Sequence, residues 1–297
     1  MKLKHWTSMI PILGPWAADL ERKALRDREK FQGCRRNLIR ALSRNQALIH
    51  SIPKSGVTWT LLMISNYCAK RLGHEEPVDF SRMNKRYILH SVEHRSWDRE
   101  VAEWLASKPH FTANAVGMEF LIHTHLSVSD CPYRRALFLF RNPFDYSLSM
   151  HYHFRTARGS VETIDKHIDQ YLDQYIEQIE FQIAECKSRS GDALAVAYER
   201  IKFDPDSALR LILGHFEVED VDEPSLRFAI ESTTQEKLRE YENSGNNVVS
   251  SRLKKSFIRD GVPGTWRHQL TSGQANYIWS RIPENIQGFL SENGAAP

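Results

Sequence analysis

The chain has 297 residues, of which 41% are hydrophobic, and this is enough to bury the core of one large domain or two small ones. The formal net charge of +3 gives no overall field that favours nucleic acid or an acidic membrane as a partner. Any site for an anionic ligand must therefore be local, and we expect neither a nucleic-acid nor a membrane partner.

Residues 1–45 are predicted to form an N-terminal helical extension, because residues 19–45 carry the dense charge of an exposed helix. The apolar stretch at residues 6–18 is interrupted by Pro11 and Pro15, so we expect neither a membrane span nor a signal peptide. The four cysteines are Cys34, Cys68, Cys131 and Cys186. Their wide spacing is typical of reduced thiols in a cytoplasmic protein, and not of a disulfide framework or a thiolate zinc site.

The first motif is the segment Pro-Lys-Ser-Gly-Val-Thr-Trp at residues 53–59. It follows an apolar run at residues 47–52 that is typical of a buried strand, and it precedes Leu61, where we expect a helix to start. A loop between a strand and a helix offers free backbone N–H groups and the positive end of the helix dipole. Lys54 adds a full charge, and Gly56 lets the backbone approach a ligand closely. The segment therefore predicts an anion site, with a merely solvated lysine as the alternative.

The middle of the chain alternates between predicted strands and helices. Residues 120–122 and 136–140 are continuous apolar runs, which suit strands buried on both faces of a parallel sheet. Apolar residues recur every three or four positions over residues 162–187 and predict a helix that covers the sheet. A short strand is expected at residues 193–198, and a helix capped by Asp204 follows it. This alternation predicts an α/β fold with a central, mostly parallel sheet flanked by helices.

The second motif is Arg-Asn-Pro-Phe-Asp-Tyr-Ser-Leu-Ser at residues 141–149. Arg141 is expected at the carboxyl end of a strand, where open α/β sheets bind ligands. Asp145 is expected to cap the helix that follows the proline turn. Arg141 and Ser149 can reach one phosphate, the arginine through two parallel hydrogen bonds. A structural arginine–carboxylate pair would explain the same residues.

The third motif is Arg-Asp-Gly-Val-Pro-Gly-Thr-Trp-Arg at residues 259–267. It is a basic loop rich in glycine and proline, and such a loop can wrap an anion with its backbone N–H groups. An ordinary surface loop is the alternative.

Taken together, the three motifs resemble those of the cytosolic sulfotransferase family, whose sulfuryl donor is 3′-phosphoadenosine 5′-phosphosulfate (PAPS). The family's phosphosulfate loop reads Pro-Lys-Ser-Gly-Thr-Thr-Trp, from which only Val57 departs. Its 3′-phosphate segment, Arg-Asn-Pro-x-Asp-x-x-x-Ser, is matched throughout residues 141–149. Its late loop reads Arg-Lys-Gly-x-x-Gly-Asp-Trp-Lys, and here Asp260 replaces the lysine and Thr265 the aspartate. The resemblance covers about residues 47–271 and implies one domain over residues 1–297 with the P-loop-NTPase-like sulfotransferase fold.

This resemblance also implies which residues hold the two ends of PAPS. Those implied for the phosphosulfate end are Lys54, Ser55, Gly56, Val57, Thr58 and Trp59, with Trp59 also stacking on adenine. Those implied for the 3′-phosphate end are Arg141, Ser149, Arg259, Asp260 and Gly261. Tyr198 and Thr233 fall at positions where the family contacts adenine. No metal is expected, and PAPS is expected as the donor.

The resemblance identifies His125 as the catalytic base. The family's base is the histidine of a Lys-Thr-His segment, and here the segment reads His123-Thr124-His125, so a histidine replaces the lysine. Histidine has the unperturbed pKa that suits a base near neutral pH. Lys54 is expected to stabilise charge on the leaving group, and transfer is expected to be an in-line displacement without a covalent enzyme intermediate.

Three other interpretations remain open. A metallohydrolase could use four histidines as ligands, and these are His123, His125, His151 and His153. A P-loop kinase for a small molecule would need the order Gly-Lys-Ser/Thr, whereas here the lysine precedes the only glycine of the loop. A catalytically silent protein that binds PAPS or its product, adenosine 3′,5′-bisphosphate (PAP), would keep the donor site without turnover.

The acceptor is expected to be a small molecule with a hydroxyl or amine group and a partly apolar body. Residues 73–118 form the predicted acceptor-site or lid region, because they are polar and rich in aromatic residues. Together with Tyr152 and Phe154 they suit an apolar pocket, although the same aromatic residues could belong to the core.

The oligomeric state is expected to be a monomer, or a dimer formed through another surface than the family's. The family's C-terminal dimer segment reads Lys-x-x-x-Thr-Val-x-x-x-Glu. The corresponding residues here are Arg267, Thr271, Ser272 and Asn276, so the valine and the glutamate are missing.

Overall fold

The computed structural model describes residues 47–79, 121–129, 131–243 and 261–297, together with positions 32, 33, 83, 88 and 89. Almost all of the predicted extension at residues 1–45 and most of the predicted lid at residues 73–118 lie outside the described residues, as do Arg259 and Asp260. Within the described part of the chain, no helix combines the length and the hydropathy needed to cross a bilayer.

A parallel sheet of five strands forms the centre of the molecule. The strands are β1 (Ala47–Ser51), β2 (Ile88–Leu89), β3 (Leu121–Thr124), β4 (Arg135–Phe140) and β5 (Ala193–Ala197). Their order across the sheet is β2-β3-β1-β4-β5, so β1 and β4 are central. The apolar runs predicted to be strands are therefore strands, with bounds that differ by at most two residues.

Helices follow the strands and cover the sheet. In chain order they are α1 (Val57–Arg71), α2 (Pro143–Arg158), α3 (Ile164–Ser188), α4 (Tyr198–Phe203), α5 (Pro205–His215), α6 (Glu223–Glu231), α7 (Gln235–Asn243), α8 (Ser272–Arg281) and α9 (Glu284–Glu292). A 3₁₀ helix spans Thr265–His268. The helix predicted at residues 162–187 is α3, which starts and ends within two residues of that prediction.

Alternate residues of the central strands face different apolar cores, as the two-residue period of a strand requires. In β1, Ala47 and Ile49 face one core and Leu48 faces another. In β4, Leu137 lies in the first core and Phe138 in the second. The first core contains residues of α1, α5 and α6, and a further core on the other side contains residues of α2, α3, α8 and α9. Helices thus cover both faces, which confirms the predicted α/β class.

Two predicted helix starts are wrong, and one is confirmed. Helix α1 begins at Val57, before Leu61, because Gly56 takes the left-handed conformation that turns the chain directly into the helix. The N-cap of α2 is Asn142 and not Asp145, since its side chain accepts a hydrogen bond from the Asp145 backbone N–H. A proline with its fixed φ suits the first helical position, so the cap is the residue before it. The predicted cap of α5, Asp204, does accept a hydrogen bond from Ser207 N–H.

The Asp145 carboxylate does not cap α2. It binds residues 264–266 of the third motif, which we call the late loop (residues 259–267). Asp145 is fully buried and accepts hydrogen bonds from the backbone N–H groups of Gly264 and Trp266 and from the Thr265 hydroxyl. These three donors all come from a segment more than 100 residues further along the chain, between 119 and 121 positions away. A single buried carboxylate therefore fixes the C-terminal segment to the start of α2.

We expect Asp145→Ala to lower the free energy of unfolding by about 3 kcal/mol or more, because it leaves buried donors without an acceptor. Urea unfolding followed by circular dichroism measures this loss. The control is Asp220→Ala, which removes an exposed carboxylate and should change the free energy by less than about 0.5 kcal/mol. Equal stability of the two variants would show that Asp145 does not anchor the late loop.

Candidate active site

The carboxyl ends of four parallel strands meet at one edge of the sheet. The loop at residues 53–56 follows β1, His125 follows β3, Arg141 follows β4 and Tyr198 follows β5. Ligands of open α/β sheets bind at this edge, just outside the carboxyl ends of the strands. Three segments that are far apart in the sequence, together with Tyr198, are thus brought to one place by the topology alone.

The loop after β1 has the backbone shape of an anion cradle. Both Lys54 and Gly56 adopt positive φ, 68° and 77°, which exposes the N–H groups at the start of α1. Ser55 is fully buried, and both its backbone N–H and its hydroxyl donate to the Ile52 carbonyl oxygen. Its donors therefore stabilise the turn itself. Val57 is buried against the first apolar core, so only its backbone can face a ligand.

Tyr198 packs directly on this loop. A Cβ atom added to Gly56 would lie 2.3 Å from Tyr198 Cδ2, so no residue larger than glycine fits without moving the ring. The Tyr198 hydroxyl donates to the Gly261 carbonyl oxygen at 2.6 Å. The ring of Trp59 approaches the Tyr198 ring edge-on, with a centroid distance of 6.1 Å. One aromatic side chain therefore joins the loop after β1, helix α1 and the late loop.

Trp59 is held in place from a distant part of the chain. Its indole N–H donates to the Thr233 carbonyl oxygen at 2.8 Å, and Thr233 lies just after α6. The Thr233 hydroxyl donates to the Ala229 carbonyl oxygen, within the end of that helix. Thr233 thus contributes to the site through its backbone, which orients the indole ring.

Arg141 is buried beside Tyr198, with 6% of its surface exposed. Its guanidinium carbon lies 4.4 Å from the centre of the Tyr198 ring. Two carboxylates are near but not in hydrogen-bond contact, Asp145 at 3.9 Å and Glu199 at 4.0 Å. Within the described part of the chain, Nε and Nη2 of Arg141 have no hydrogen-bond acceptor. The guanidinium is therefore buried with two nitrogens that no described acceptor satisfies, a cost that an anionic ligand would relieve.

Glu199 belongs to this polar cluster, although it was not predicted as a site residue. Its Oε1 accepts hydrogen bonds from the backbone N–H and the side-chain amide of Asn142. Burial raises the pKa of Glu199, and its own backbone N–H and Arg141 oppose that shift. Glu199 thereby connects the start of α4 to the start of α2. Its adjacency to Tyr198 in the sequence is the only signal that could have revealed it.

Three further predicted donor-site residues lie on elements already described. Ser149 is half-buried on α2, four residues beyond Asp145 and therefore on the same face of the helix. Thr58 is half-buried in the first turn of α1. Gly261 is the acceptor for Tyr198 and has a positive φ of 56°. Arg259 and Asp260 lie outside the described residues.

His125 is oriented by the end of β1. Its Nδ1 lies 2.7 Å from the Ser51 carbonyl oxygen and 3.1 Å from the Ser51 hydroxyl. Because a carbonyl oxygen can only accept, Nδ1 is the nitrogen that carries the hydrogen. In the neutral ring, Nε2 then holds the free electron pair that a base needs. His125 is half-buried, whereas Ser51 is fully buried.

His123, which replaces a lysine of the family pattern, contacts the same serine. Its Nε2 lies 2.8 Å from the Ser51 hydroxyl, and its ring meets the His125 ring edge-on at 4.7 Å between centroids. His50 lies on β1 and is fully buried. Its burial, together with the smaller electrostatic effect of His125, lowers its pKa to about 3. Its Nδ1 contacts the Gln182 amide nitrogen at 3.0 Å. Neither Ser51 nor His50 was predicted, because inside an apolar run they carry no sequence signal.

His151 and His167 contact each other between two helices. Nδ1 of His151 lies 2.8 Å from Nδ1 of His167, which links α2 to α3, and burial lowers the pKa of His151. Phe154 stacks on Tyr171 at 4.7 Å between centroids. The predicted alternative that Phe154 belongs to the core is therefore the one the contacts favour. In the residues that the structure describes, no group of three or more His, Cys, Asp or Glu side chains could hold a metal ion.

We expect Gly56→Ala to destabilise the protein by about 2 kcal/mol more than Gly73→Ala, as measured by urea unfolding. Both glycines have a positive φ near 80°, 77° for Gly56 and 79° for Gly73, so the backbone strain of alanine is matched. At Gly56 the new Cβ atom would meet the Tyr198 ring, whereas a Cβ atom added at Gly73 would have no non-adjacent atom within 4 Å. Equal losses in the two variants would mean that the ring moves aside without cost.

Comparison with known proteins finds solved structures of similar fold. The mouse sulfotransferase SULT7A1 complexed with PAP has a similar fold, with a TM-score of 0.59 and 16% sequence identity, covering 87% of this chain and 93% of that chain. Retinol dehydratase in complex with androsterone and inactive cofactor PAP gives a TM-score of 0.56 at 18% identity, covering 81% of this chain and 80% of that chain. At these identities the likeness shows the fold. A search of curated proteins finds no match.

These structures show the fold, and a family model shows the family. The model described as "Sulfotransferase domain" matches residues 44–289, which include the carboxyl ends of all five strands and the late loop. The predicted fold and the predicted resemblance are both confirmed by this match and by the similar structures. The chain belongs to the sulfotransferase domain family.

Proposed function

We propose that the protein is an enzyme that transfers a sulfuryl group from PAPS to a hydroxyl or amine of a small, partly apolar acceptor. The observation that supports this most directly is the edge of the sheet where Arg141, the start of α1 and His125 come together. The Arg141 guanidinium is buried, and two of its nitrogens have no acceptor among the described residues, which supports a role in binding an anion. Family membership makes a sulfated nucleotide the expected anion.

PAPS supplies an activated sulfuryl group and about four negative charges, and the protein supplies two places for those charges. The first turn of α1 and the loop after β1 offer backbone N–H groups and Lys54 to the phosphosulfate end. Arg141, Ser149 and the Gly261 backbone are proposed to hold the 3′-phosphate. Trp59, oriented by the Thr233 carbonyl oxygen, offers its ring to the adenine.

His125 is proposed to remove the proton from the acceptor. Its Nε2 has the free electron pair because Nδ1 donates to the Ser51 carbonyl oxygen. The same carbonyl oxygen stabilises the imidazolium that forms when Nε2 takes the proton, since it lies on the Nδ1 side of the ring. Lys54 is proposed to stabilise the charge on the leaving oxygen. The work of the protein is then alignment and fixed charge.

A catalytically silent protein that binds PAP is the second candidate. The replacement of the family's lysine by His123 removes one permanent cation from beside the proposed base. Donor binding without turnover on any acceptor would favour this candidate, and the two experiments below distinguish the two functions.

We expect isothermal titration calorimetry to show tight binding of PAP and much weaker binding of AMP and ATP, because only PAP presents both anionic ends correctly. Arg141→Ala should lower the affinity for PAP by about 10- to 100-fold, because charge-assisted hydrogen bonds are lost. The control Arg134→Ala removes an arginine at the opposite edge of the sheet, where it pairs with Glu217, and should leave PAP affinity unchanged.

Removing Arg141 also leaves Asp145 and Glu199 without their cation, so folding of the variant is checked by thermal unfolding. Arg141→Lys keeps the charge and should retain more affinity than Arg141→Ala. No PAP binding by the wild-type protein, or equal binding of ATP, would contradict the proposed function.

We expect His125→Ala to lose turnover by at least about 100-fold while it keeps its affinity for PAP, because a base acts in the transfer step. Transfer from radiolabelled PAPS to a panel of phenols, alcohols and amines measures turnover. The control His215→Gln alters a histidine that contacts the Ala136 carbonyl oxygen at the start of β4, far from the site edge. Near-normal turnover of His125→Ala would remove His125 as the base.

A further inference from the structure

Lys202 lies beside the proposed donor site without belonging to any of the three motifs. It follows Tyr198 by one helical turn on α4, so the two side chains project from the same face. Its Nζ lies 5.0 Å from the centre of the Trp59 ring. The same Nζ lies 3.8 Å from the position that a Cβ atom on Gly261 would occupy. Lys202 therefore lies between two elements of the site, helix α1 and the late loop.

The charge of Lys202 is not neutralised by a close carboxylate. In the described part of the chain, no Asp or Glu oxygen lies within ion-pair distance of its Nζ, and Glu236 acts on it only as a more distant charge. Burial lowers its pKa, and the exposed Glu236 opposes this shift. A half-buried ammonium group without a paired anion is a cost that an anionic ligand would relieve.

The late loop of this chain carries less positive charge than the family pattern. Where the family pattern has a lysine in the late loop, this chain has Asp260, so the loop offers one cation fewer and one anion more. The neighbouring Gly261 is joined to Tyr198 by a hydrogen bond. Arg141 contacts the face of the Tyr198 ring, and Lys202 approaches Gly261, the hydrogen-bond partner of that ring. Arg141 thus contacts Tyr198 directly, and Lys202 lies near the residue that accepts the Tyr198 hydrogen bond.

We propose that Lys202 is a donor-binding residue, whose ammonium group faces the 3′-phosphate of the nucleotide and replaces the charge that the late loop lacks. This inference rests on the proposed function, since it concerns the same donor site. It assigns a binding role to a residue of α4 that acts together with Arg141.

A packing role for Lys202 would look different in a binding experiment. If the side chain only covers the Trp59 ring, its contribution is the same for every adenine nucleotide, with or without a 3′-phosphate. If the ammonium group faces the 3′-phosphate, the loss on removing the charge is confined to nucleotides that have this phosphate. PAP and AMP differ in that group, so the pair separates the two roles.

The experiment measures the affinities of PAP and AMP for Lys202→Met and Lys202→Arg by calorimetry. Methionine keeps an unbranched apolar stem against the ring and removes the charge, whereas arginine keeps the charge. We expect Lys202→Met to weaken PAP by about tenfold or more and AMP by less than about twofold, with Lys202→Arg close to wild type for both. The control Lys237→Met removes an exposed lysine paired with Glu240 on α7 and should change neither affinity.

Each other result overturns the inference. Equal losses for PAP and AMP would show a packing role, and unchanged affinities would show no role. Tighter PAP in Lys202→Met would show that the lysine occupies the ligand's place on Trp59. Failure of the wild-type protein to bind PAP would overturn the proposed function and the inference with it. Wild-type binding that Lys202→Met leaves intact would overturn the inference alone.

Discussion

The site depends on one buried positive charge, the guanidinium of Arg141 at the end of a central strand. Burial of an ion is expensive unless partners compensate it. Asp145 and Glu199 lie at 3.9 and 4.0 Å, close enough to offset the charge but too far to hydrogen-bond with it. The arginine is therefore neutralised in part and keeps Nε and Nη2 without acceptors among the described residues. An anion that reached these two nitrogens would complete the compensation of the buried charge.

The two compensating carboxylates also assemble the rest of the site. Asp145 accepts three hydrogen bonds from residues 264–266, and Glu199 accepts two from Asn142. Tyr198, next to Glu199, packs its ring against Gly56 and donates a hydrogen bond to the Gly261 carbonyl oxygen. Segments that are separated by more than 100 residues thus share one polar cluster at the edge of the sheet. Loss of any member is expected to disturb the others, because residues in one network couple.

The sequence predicts the strands and turns of this protein better than the contacts between distant residues. Apolar runs locate the strands, and glycine and proline locate the turns, since these signals are local. The role of Asp145 could not be predicted, because its partners lie over 100 residues away. The Thr233 backbone accepts the Trp59 hydrogen bond and the Val57 side chain lies in the first core, and side-chain patterns predict neither. The sequence predicts Ser51 only as part of a strand. The pairing of β1 with β3 brings it to His123 and His125.

The departures of this chain from the family pattern share one electrostatic consequence. His123 and Asp260 each stand where the pattern has a lysine, so two permanent cations are absent. Among the described cations at this edge of the sheet, Arg141 is buried and Lys202 is half-buried. Buried charges are screened by salt much less than exposed ones. An anion held by buried cations and backbone N–H groups would therefore depend less on ionic strength than one held by exposed lysines, and more on the fixed geometry of the fold.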